Sequence, residues 1–253
     1  MKQAINQTIT YNLHYTKGMR IKLSRGNRKI GKIYNFNLLP GDKPISTKDK
    51  GMLTNVVGTC TGCCDGCEHY CYAIRSAQCH HNVNIPAWGN NTLIIRNDLD
   101  GAFQQIKEEL TKHNVKLLRY HSSGEIESYS YLEHMVDLAN DLPNVHFYFY
   151  TKRFSFIEKY LKENVEFPEN LVVNISEWNG NTAGYDLRGL NRFVYDDHTN
   201  PALEKVPHCP AIAKDGSETG VTCDKCGICW RKNNGHVVAV YDHSGKKIKK
   251  GGE

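Results

Sequence analysis

The chain has 253 residues and a mass of 28.8 kDa, which fits one large domain or two small ones. Its residues are 40% hydrophobic and 23% charged, as in ordinary globular proteins, which argues against a disordered or fibrous chain. The net charge of +5 is too small to indicate nucleic-acid binding by itself. No apolar run approaches the roughly 18 residues that cross a membrane, so we expect no membrane contact.

The termini and the cysteine content bear on the compartment. Residues 1–6 carry a lysine but no apolar stretch, so we expect no secretory signal and predict a cytoplasmic protein. Thiols stay reduced there, so the ten cysteines favour metal or redox chemistry over disulfides. Basic residues cluster in 17–32 and in the tail 246–250, which we interpret as solvated segments. Contact with phosphate or nucleic acid is the alternative.

The predicted elements begin with short β-like runs over Thr8–Tyr15 and Lys29–Asn37, in a β-rich segment 1–55. From residue 102 onward, helical and strand patterns alternate. Helices are predicted over Ala102–His113, over Ser130–Leu142 and after Ser155, and strands over Val115–Tyr120, Val145–Tyr150 and Leu171–Ile175. Ser130 with Glu133, and Ser155 with Glu158, match the capping-box pattern at two helix starts.

This alternation with short connections predicts parallel βαβ units, whose functional residues gather at the carboxyl ends of the strands. Polar segments follow all three strands: 121–125, 151–153 and 176–178. We expect them to lie on one rim and to share a site with the cysteine loop that precedes them.

That loop, residues 58–73, holds the first cysteine cluster. Its members are Cys60, Cys63, Cys64, Cys67 and Cys71. We interpret Cys63 as a spare thiol. Three thiolates leave one iron of a cluster open for a ligand, whereas four close the site. Three ligand sets remain alternatives: Cys60 with Cys64 and Cys67, Cys64 with Cys67 and Cys71, or all four.

The second cysteine cluster lies near the carboxyl terminus and comprises Cys209, Cys223, Cys226 and Cys229. The consecutive C-x2-C-x2-C spacing, with a separate Cys-Pro, is typical of ferredoxin-like iron–sulfur ligands. Zinc sites more often separate their C-x2-C pairs by a dozen or more residues. Zinc remains the alternative for this cluster.

The motifs carry two family resemblances. Cys60-x3-Cys64-x2-Cys67, followed by a βαβα pattern and by Ser123-Gly124-Glu125 at a strand end, resembles the radical S-adenosylmethionine (SAM) enzymes. The chain as a whole resembles the phage and mobile-element family called gene product 88. The matching stretches, within about residues 55–230, are GTCTGCCDGCEHYCYAIRS, RYHSSGEI, FYFYTK, ISEW and HCP with the later Cys223-x2-Cys226.

The radical SAM resemblance implies a fold and a chemistry. It implies an α/β fold with a mainly parallel sheet, formed as a partial (β/α) barrel over residues 56–200. A cysteine-rich, metal-binding extension with the basic tail, residues 201–253, follows this core. It further implies one or two [4Fe-4S] clusters, SAM cleaved reductively to start radical chemistry on an unknown substrate, and an electron donor such as flavodoxin or ferredoxin. A phage-encoded protein would act in the host cytoplasm.

The same resemblance implies roles for the rim residues. Ser123, Gly124 and Glu125 would form the motif that meets the methionine amino group of SAM, with Glu125 holding the amine. Lys152 or Arg119 would take the carboxylate, and Ser176 would reach the ribose. Strand alternation would direct Asn174 to the same side as Ser176.

The sequence departs from the radical SAM pattern at two places. Gly66, and not an aromatic residue, precedes Cys67, while Tyr70 precedes Cys71. Ser123 stands where the motif usually has its first glycine. A non-enzymatic module stabilised by zinc or iron–sulfur, which binds nucleic acid or a host protein, is the alternative function, and the basic tail and the aromatic-rich strand at Tyr148, Phe149 and Tyr150 favour it.

Overall fold

The structure is a computed structural model that describes residues 9–164, 166–178 and 180–242. Its strands are β1 Leu23–Ser24, β2 Tyr34–Phe36, β3 Pro44–Thr47, β4 Gly51–Val57, β5 Leu117–Tyr120, β6 His146–Thr151, β7 Leu171–Glu177, β8 Asn191–Asp196 and β9 Val237–Tyr241. Its helices are α1 Asp65–His69, α2 Tyr72–Cys79, α3 His81–Asn97, α4 Leu99–Lys112, α5 Tyr129–Asp141, α6 Phe154–Glu163 and α7 Cys223–Cys226, with a 3-10 turn at Pro201–Lys205. No helix in these ranges is long and apolar enough to cross a membrane.

Seven of the strands form one sheet in the order β1-β2-β5-β6-β7-β8-β9. β1 is antiparallel to β2, and the other six strands are parallel and follow the order of the chain. The mixed α/β fold with a mainly parallel sheet is therefore confirmed. The segments before residue 55 and after residue 201 supply β1, β2 and β9, so all three predicted segments contribute to this sheet.

One face of the sheet packs against helices and forms the main core. Alternation along β6 turns Phe147 and Phe149 toward this face, where they are fully buried. Ile106 of α4, Met135 of α5 and Ile157 of α6 lie in the same core. Each such side chain stabilises the fold by about 2 kcal/mol through removal of apolar surface from water.

The opposite face of the sheet is covered by chain from both ends of the sequence. Tyr148 and Val172 alternate with the main-core residues and pack with Ile33 in a small separate cluster. Cys223, Cys229 and Trp230 are partly buried against this cluster. The second cysteine cluster therefore lies beneath the sheet.

The region between β2 and β5 has structure for which the sequence analysis made no prediction. β3 and β4 form an antiparallel hairpin, and α2 and α3 follow the cysteine loop. A third apolar cluster, which includes Leu39, Leu53 and Ile85, joins the hairpin to these helices. The hairpin and the helices together form the support on which the loop lies.

Two predicted strands are wrong in extent. Residues 9–15 form only an isolated bridge, from Tyr11 to Thr54, because Tyr11 and its neighbours bond to the hairpin from outside the sheet. Of the predicted strand Lys29–Asn37, only β2 forms. The Asn27 side chain accepts hydrogen bonds from the amides of Lys29 and Ile30, and this closes a turn at the start of the predicted strand.

Both predicted capping boxes are also wrong. Ser128, two residues earlier than predicted, caps α5 by accepting the Tyr131 amide at 3.1 Å. Arg153 stands at the N-cap of α6 without a side-chain cap, and Ser155 lies inside that helix. The pattern matched at these helices, but each helix begins one residue before the serine that was predicted to cap it.

Candidate functional site

The three polar strand ends meet on one rim, as the sequence predicts. The carboxylate of Glu125, after β5, accepts a hydrogen bond from the Thr151 hydroxyl at 2.9 Å and from the Lys152 amide at 2.8 Å. The Lys152 ammonium donates in turn to the Ser176 hydroxyl at 2.8 Å. A continuous polar chain thus crosses the carboxyl ends of β5, β6 and β7.

The turn that carries Glu125 needs the residues that precede it. Gly124 has φ +87°, and a Cβ atom there would lie 2.7 Å from the Leu38 Cβ and 2.8 Å from the Thr59 Oγ1. The Ser123 hydroxyl donates to the Leu38 carbonyl at 2.9 Å, and the Glu125 amide donates to the Thr59 hydroxyl at 2.8 Å. Ser123 and Gly124 therefore position Glu125 against the residue that precedes Cys60.

Glu125 is 8% exposed, and its burial raises the pKa of the carboxyl group. The amides of Lys152 and Ile126 and the Thr151 hydroxyl partly offset this rise, because their hydrogen bonds favour the ionised form. The Lys152 ammonium adds a further favourable charge. The carboxylate is thus held in a fixed orientation at the rim.

The first cysteine cluster is attached to the same rim. Cys60 donates its amide to the Gly41 carbonyl, and the Arg153 guanidinium donates to the Thr61 carbonyl at 2.8 Å. A Cβ atom at Gly66 would lie 3.1 Å from the Trp178 ring, so the helix α1 rests directly on the residue that follows β7. The small residue before Cys67 permits this close approach.

Thiols of the first cluster interact with the polar chain. Burial raises the pKa of Cys60 above its usual value, and the nearby Glu125 raises it further. Burial also raises the pKa of Cys67, whereas the hydrogen-bonded Lys152 opposes the rise. Although burial lowers the pKa of Lys152, Cys67 and Glu125 together raise it above the usual value. Burial raises the pKa of Cys63 to about 11.

The four thiols of the second cluster line one small cavity beneath the sheet. Asn174 of β7 donates to the Cys229 carbonyl at 3.0 Å, and the Trp230 indole donates to the Cys223 carbonyl at 3.0 Å. Burial raises the pKa of Cys229 to about 12, and a hydrogen bond from Tyr150 opposes the rise. The sheet thus fixes the backbone of this cluster.

Two cations lie near the second cluster. Arg119 has its guanidinium 5.1 Å from the ring centre of Tyr150 and donates to the Tyr72 hydroxyl at 3.5 Å. Burial and Arg119 lower the pKa of Lys29, whereas Cys209 and Cys223 raise it. Lys29 is partly buried, so the expectation that residues 17–32 form a solvated segment is wrong at this position.

The cysteines are all free thiols in this structure. Within the described ranges, no three His, Cys, Asp or Glu side chains converge closely enough to coordinate a metal ion as they stand. Metal binding at either cluster therefore requires rotation of thiol side chains. The basic tail predicted at 246–250 lies outside the described residues.

The structure gives individual contacts to Arg153 and Trp178, which the sequence analysis placed on the rim only as parts of the segments 151–153 and 176–178, and it adds two residues that were not predicted there. Arg153 donates a hydrogen bond to the Thr61 carbonyl of the cysteine loop. The rings of Trp178 and Tyr195 stack with their centres 3.9 Å apart. Asp196, at the end of β8, forms a 2.9 Å hydrogen bond with His208, the residue before Cys209. Asp196 ends a parallel strand and His208 adjoins a cysteine, which is the sequence signal that could have identified these two.

Comparison with known proteins gives one result. The model of the family Gene product 88 matches residues 21–232, which cover most of the chain, the whole rim and both cysteine clusters. No curated protein and no solved structure gives a significant match. The chain therefore belongs to the Gene product 88 family.

Proposed function

We propose that this protein is an iron–sulfur enzyme of the radical SAM type, which cleaves SAM reductively to start radical chemistry on a substrate still to be identified. One observation carries the proposal. The polar chain from Glu125 through Lys152 to Ser176 lies at the carboxyl edge of a parallel sheet, where the Lys152 ammonium interacts electrostatically with Cys67 of the first cluster. Parallel α/β folds bind their ligands at this edge.

The donor set of the first cluster fits a [4Fe-4S] group. Cys60, Cys64, Cys67 and Cys71 share one loop, and the electrostatic coupling of Cys67 to Cys64 and Cys71 indicates that these thiols are neighbours. Either three or all four of them would hold the cluster. A reduced cluster with an open iron would supply the electron that cleaves the sulfonium carbon–sulfur bond of SAM.

The rim residues supply groups that match the polar parts of SAM. The Glu125 carboxylate pairs with an ammonium group, and the Lys152 ammonium pairs with a carboxylate. The Ser176 hydroxyl suits a ribose hydroxyl. Ser123 and Gly124 act through Glu125, because they fix the turn that carries it.

The strand order is compatible with a partial (β/α) barrel. Six parallel strands follow the order of the chain, and one face of their sheet packs on helices. The cysteine loop lies between the first and the second of these strands, after the β3–β4 hairpin, and Glu125 follows the second. This order supports the radical SAM proposal at the level of topology, an argument by analogy with the fold.

The first experiment is anaerobic purification with iron, sulfide and zinc counted per chain. It is followed by EPR of the reduced protein with and without SAM, and by assay of 5′-deoxyadenosine. Iron and sulfide, an EPR signal that SAM changes, and 5′-deoxyadenosine formed from SAM would support the proposal. A protein that binds iron but leaves SAM intact would instead be an iron–sulfur redox protein with closed clusters. Zinc without iron would contradict the enzyme proposal.

A second experiment addresses Glu125 directly. Glu125→Gln keeps the size of the side chain but removes its charge, so we expect weaker SAM binding with unchanged iron content. The matched control is Glu166→Gln, because Glu166 is exposed. Equal loss of iron and SAM binding in Glu125→Gln would make Glu125 a structural residue and would remove the SAM assignment.

A non-enzymatic module is the second candidate. The observation that favours it is the set of four cysteines around one cavity on the face of the sheet opposite the main core, an arrangement that suits a structural metal. Such a module would bind nucleic acid or a host protein.

If the enzyme proposal is correct, a cytoplasmic flavodoxin or ferredoxin is the expected electron donor.

A further inference from the structure

Positive charge accumulates beside the second cysteine cluster. The Cys223 amide donates to the Lys29 carbonyl at 3.1 Å, which holds the Lys29 backbone against the cluster. The Lys29 ammonium interacts electrostatically with Cys209 and Cys223, and the Arg119 guanidinium interacts with Cys223. Lys29 comes from a turn before β2 and Arg119 from the strand β5, so the fold brings them together from distant parts of the chain.

Neither cation has a carboxylate partner. Across residues 9–164, 166–178 and 180–242, no salt bridge joins Lys29 or Arg119 to an acidic side chain. Glu218 acts on Lys29 from beyond ion-pair distance and pairs with Arg28 at 3.7 Å. The Nε atom of Arg119 is buried without a hydrogen-bond partner. Burial of uncompensated charge is costly, so a negative group is expected here.

We propose that Lys29 and Arg119 are the counter-charges of a tetrathiolate metal centre in the second cysteine cluster. Four thiolates with one zinc ion, or with the oxidised core of a [4Fe-4S] cluster, carry two net negative charges. Two cations neutralise them. Metal binding releases the four thiol protons to solvent, whereas neutral thiols would leave both cations uncompensated.

The aromatic residues around Arg119 explain why an arginine stands there. Its guanidinium lies over the rings of Tyr150, at 5.1 Å, and Tyr148, at 5.9 Å. Tyr150 and Cys229 also pack against the same apolar cluster. A planar, delocalised cation can stack on such rings and keep its charge beside the sulfurs. The inference thus assigns Arg119 to the metal centre, and Lys152 remains the residue proposed for the SAM carboxylate.

The test uses the full chain with serine at the four candidate ligands of the first cluster, so that any retained metal belongs to the second cluster. Those substitutions are Cys60→Ser, Cys64→Ser, Cys67→Ser and Cys71→Ser. Zinc, iron and sulfide are counted per chain, and the rate of metal release to an excess of chelator is followed. The counts distinguish zinc from iron–sulfur, and SAM chemistry plays no part in the readout.

Charge-removing variants are then added to this parent. Arg119→Met and Lys29→Met remove one cation each, and we expect each to release metal about tenfold faster. Arg119→Lys keeps the charge, and we expect this variant to release metal nearly as slowly as the parent. Arg20→Met and Lys32→Met remove exposed cations and are the matched controls, with release rates equal to that of the parent.

The outcomes separate this inference from the proposed enzyme. Faster metal release in Lys29→Met and Arg119→Met, with unchanged controls, supports it even if the wild-type chain never cleaves SAM. Release rates within about twofold of the parent in both variants would overturn it, as would a folded parent that retains no metal. If circular dichroism shows that Arg119→Met does not fold, Lys29→Met and Arg119→Lys decide the question, because Lys29 lies in a turn.

Discussion

The two cysteine clusters lie on the same sheet but in different electrostatic surroundings. The first lies at the carboxyl edge of the strands, where the cation Lys152 has the carboxylate Glu125 beside it. The second lies beneath the sheet, where Lys29 and Arg119 have no carboxylate in ion-pair contact among the described residues. At the first site the cation and the carboxylate are in direct electrostatic contact, whereas at the second site no acidic side chain among the described residues forms an ion pair with Lys29 or Arg119, although Glu218 acts on Lys29 from a greater distance.

The two clusters also differ in how they are packed against the rest of the fold. The first loop is held by hydrogen bonds to its backbone, such as that of Arg153 to Thr61, and lies on the edge of the fold. In the second cluster, Cys223 and Cys229 pack into an apolar cluster with Val172 of β7. This contrast is the basis for proposing a ligand-binding role for the first cluster and a structural role for the second.

Loss of one thiol from each cluster should show the largest difference. We expect Cys226→Ser to lower the free energy of unfolding by more than about 3 kcal/mol, because metal at the second cluster ties two distant segments to the sheet. Cys64→Ser should cost less than about 1 kcal/mol, since its loop lies at the edge. Urea unfolding of both variants, loaded with metal under the same conditions, makes the comparison. Equal losses would end the assignment of separate roles.

A tryptophan lies beside each cluster, and substitution of these two residues tests the same difference between the clusters. Trp230→Ala should lower the free energy of unfolding by about 2 kcal/mol, because it removes buried apolar area and the hydrogen bond to the Cys223 carbonyl. Trp178→Ala should cost less stability and should instead reduce iron retention in the first loop, since Gly66 rests on this ring. Unfolding curves and iron counts of the two variants measure these effects. A larger loss of stability in Trp178→Ala than in Trp230→Ala would contradict the comparison.

Lys152 should matter for the first cluster alone. Lys152→Met removes the donor to Ser176 and the cation beside Cys67, so we expect SAM affinity to fall about tenfold. Metal retained by the second cluster should not change. Equilibrium binding of SAM and metal counts measure the two effects, with Lys159→Met, an exposed lysine on α6, as the control. A loss of metal from the second cluster would show that the two sites are coupled.

The smallest change in stability is expected at the N-cap of α5, which serves as a reference for the larger changes predicted at the clusters. Ser128→Ala removes the N-cap of α5 and should cost about 1 kcal/mol of stability. Ser130→Ala, at the position that the sequence pattern favoured, should cost less than about 0.5 kcal/mol. Both variants should keep the metal content of the wild type. A larger cost for Ser130→Ala would restore the predicted capping box.

Part of the fold could be predicted because its signals are local. The helix over 102–113 and the strands that end near Tyr120, Tyr150 and Ile175 follow from periodicity, and α4, β5, β6 and β7 agree with them to within a few residues. The helices α2 and α3 received no prediction. The helix α2 is amphipathic but spans only 8 residues beside the cysteine loop, and the buried residues of α3 do not lie on one face, so α3 has no one-sided pattern.

The sequence by itself determined the alternation of strands and helices, the polar strand ends and the two sets of thiols. It determined them because parallel strand topology brings successive carboxyl ends to one edge, whatever the details of packing. Only the tertiary structure decided which partners these residues have. Lys29 and Arg119, about ninety positions apart, meet at one cluster, and Trp178 contacts Gly66. Contacts between distant residues depend on how the sheet and the loops pack, and local patterns carry no record of them.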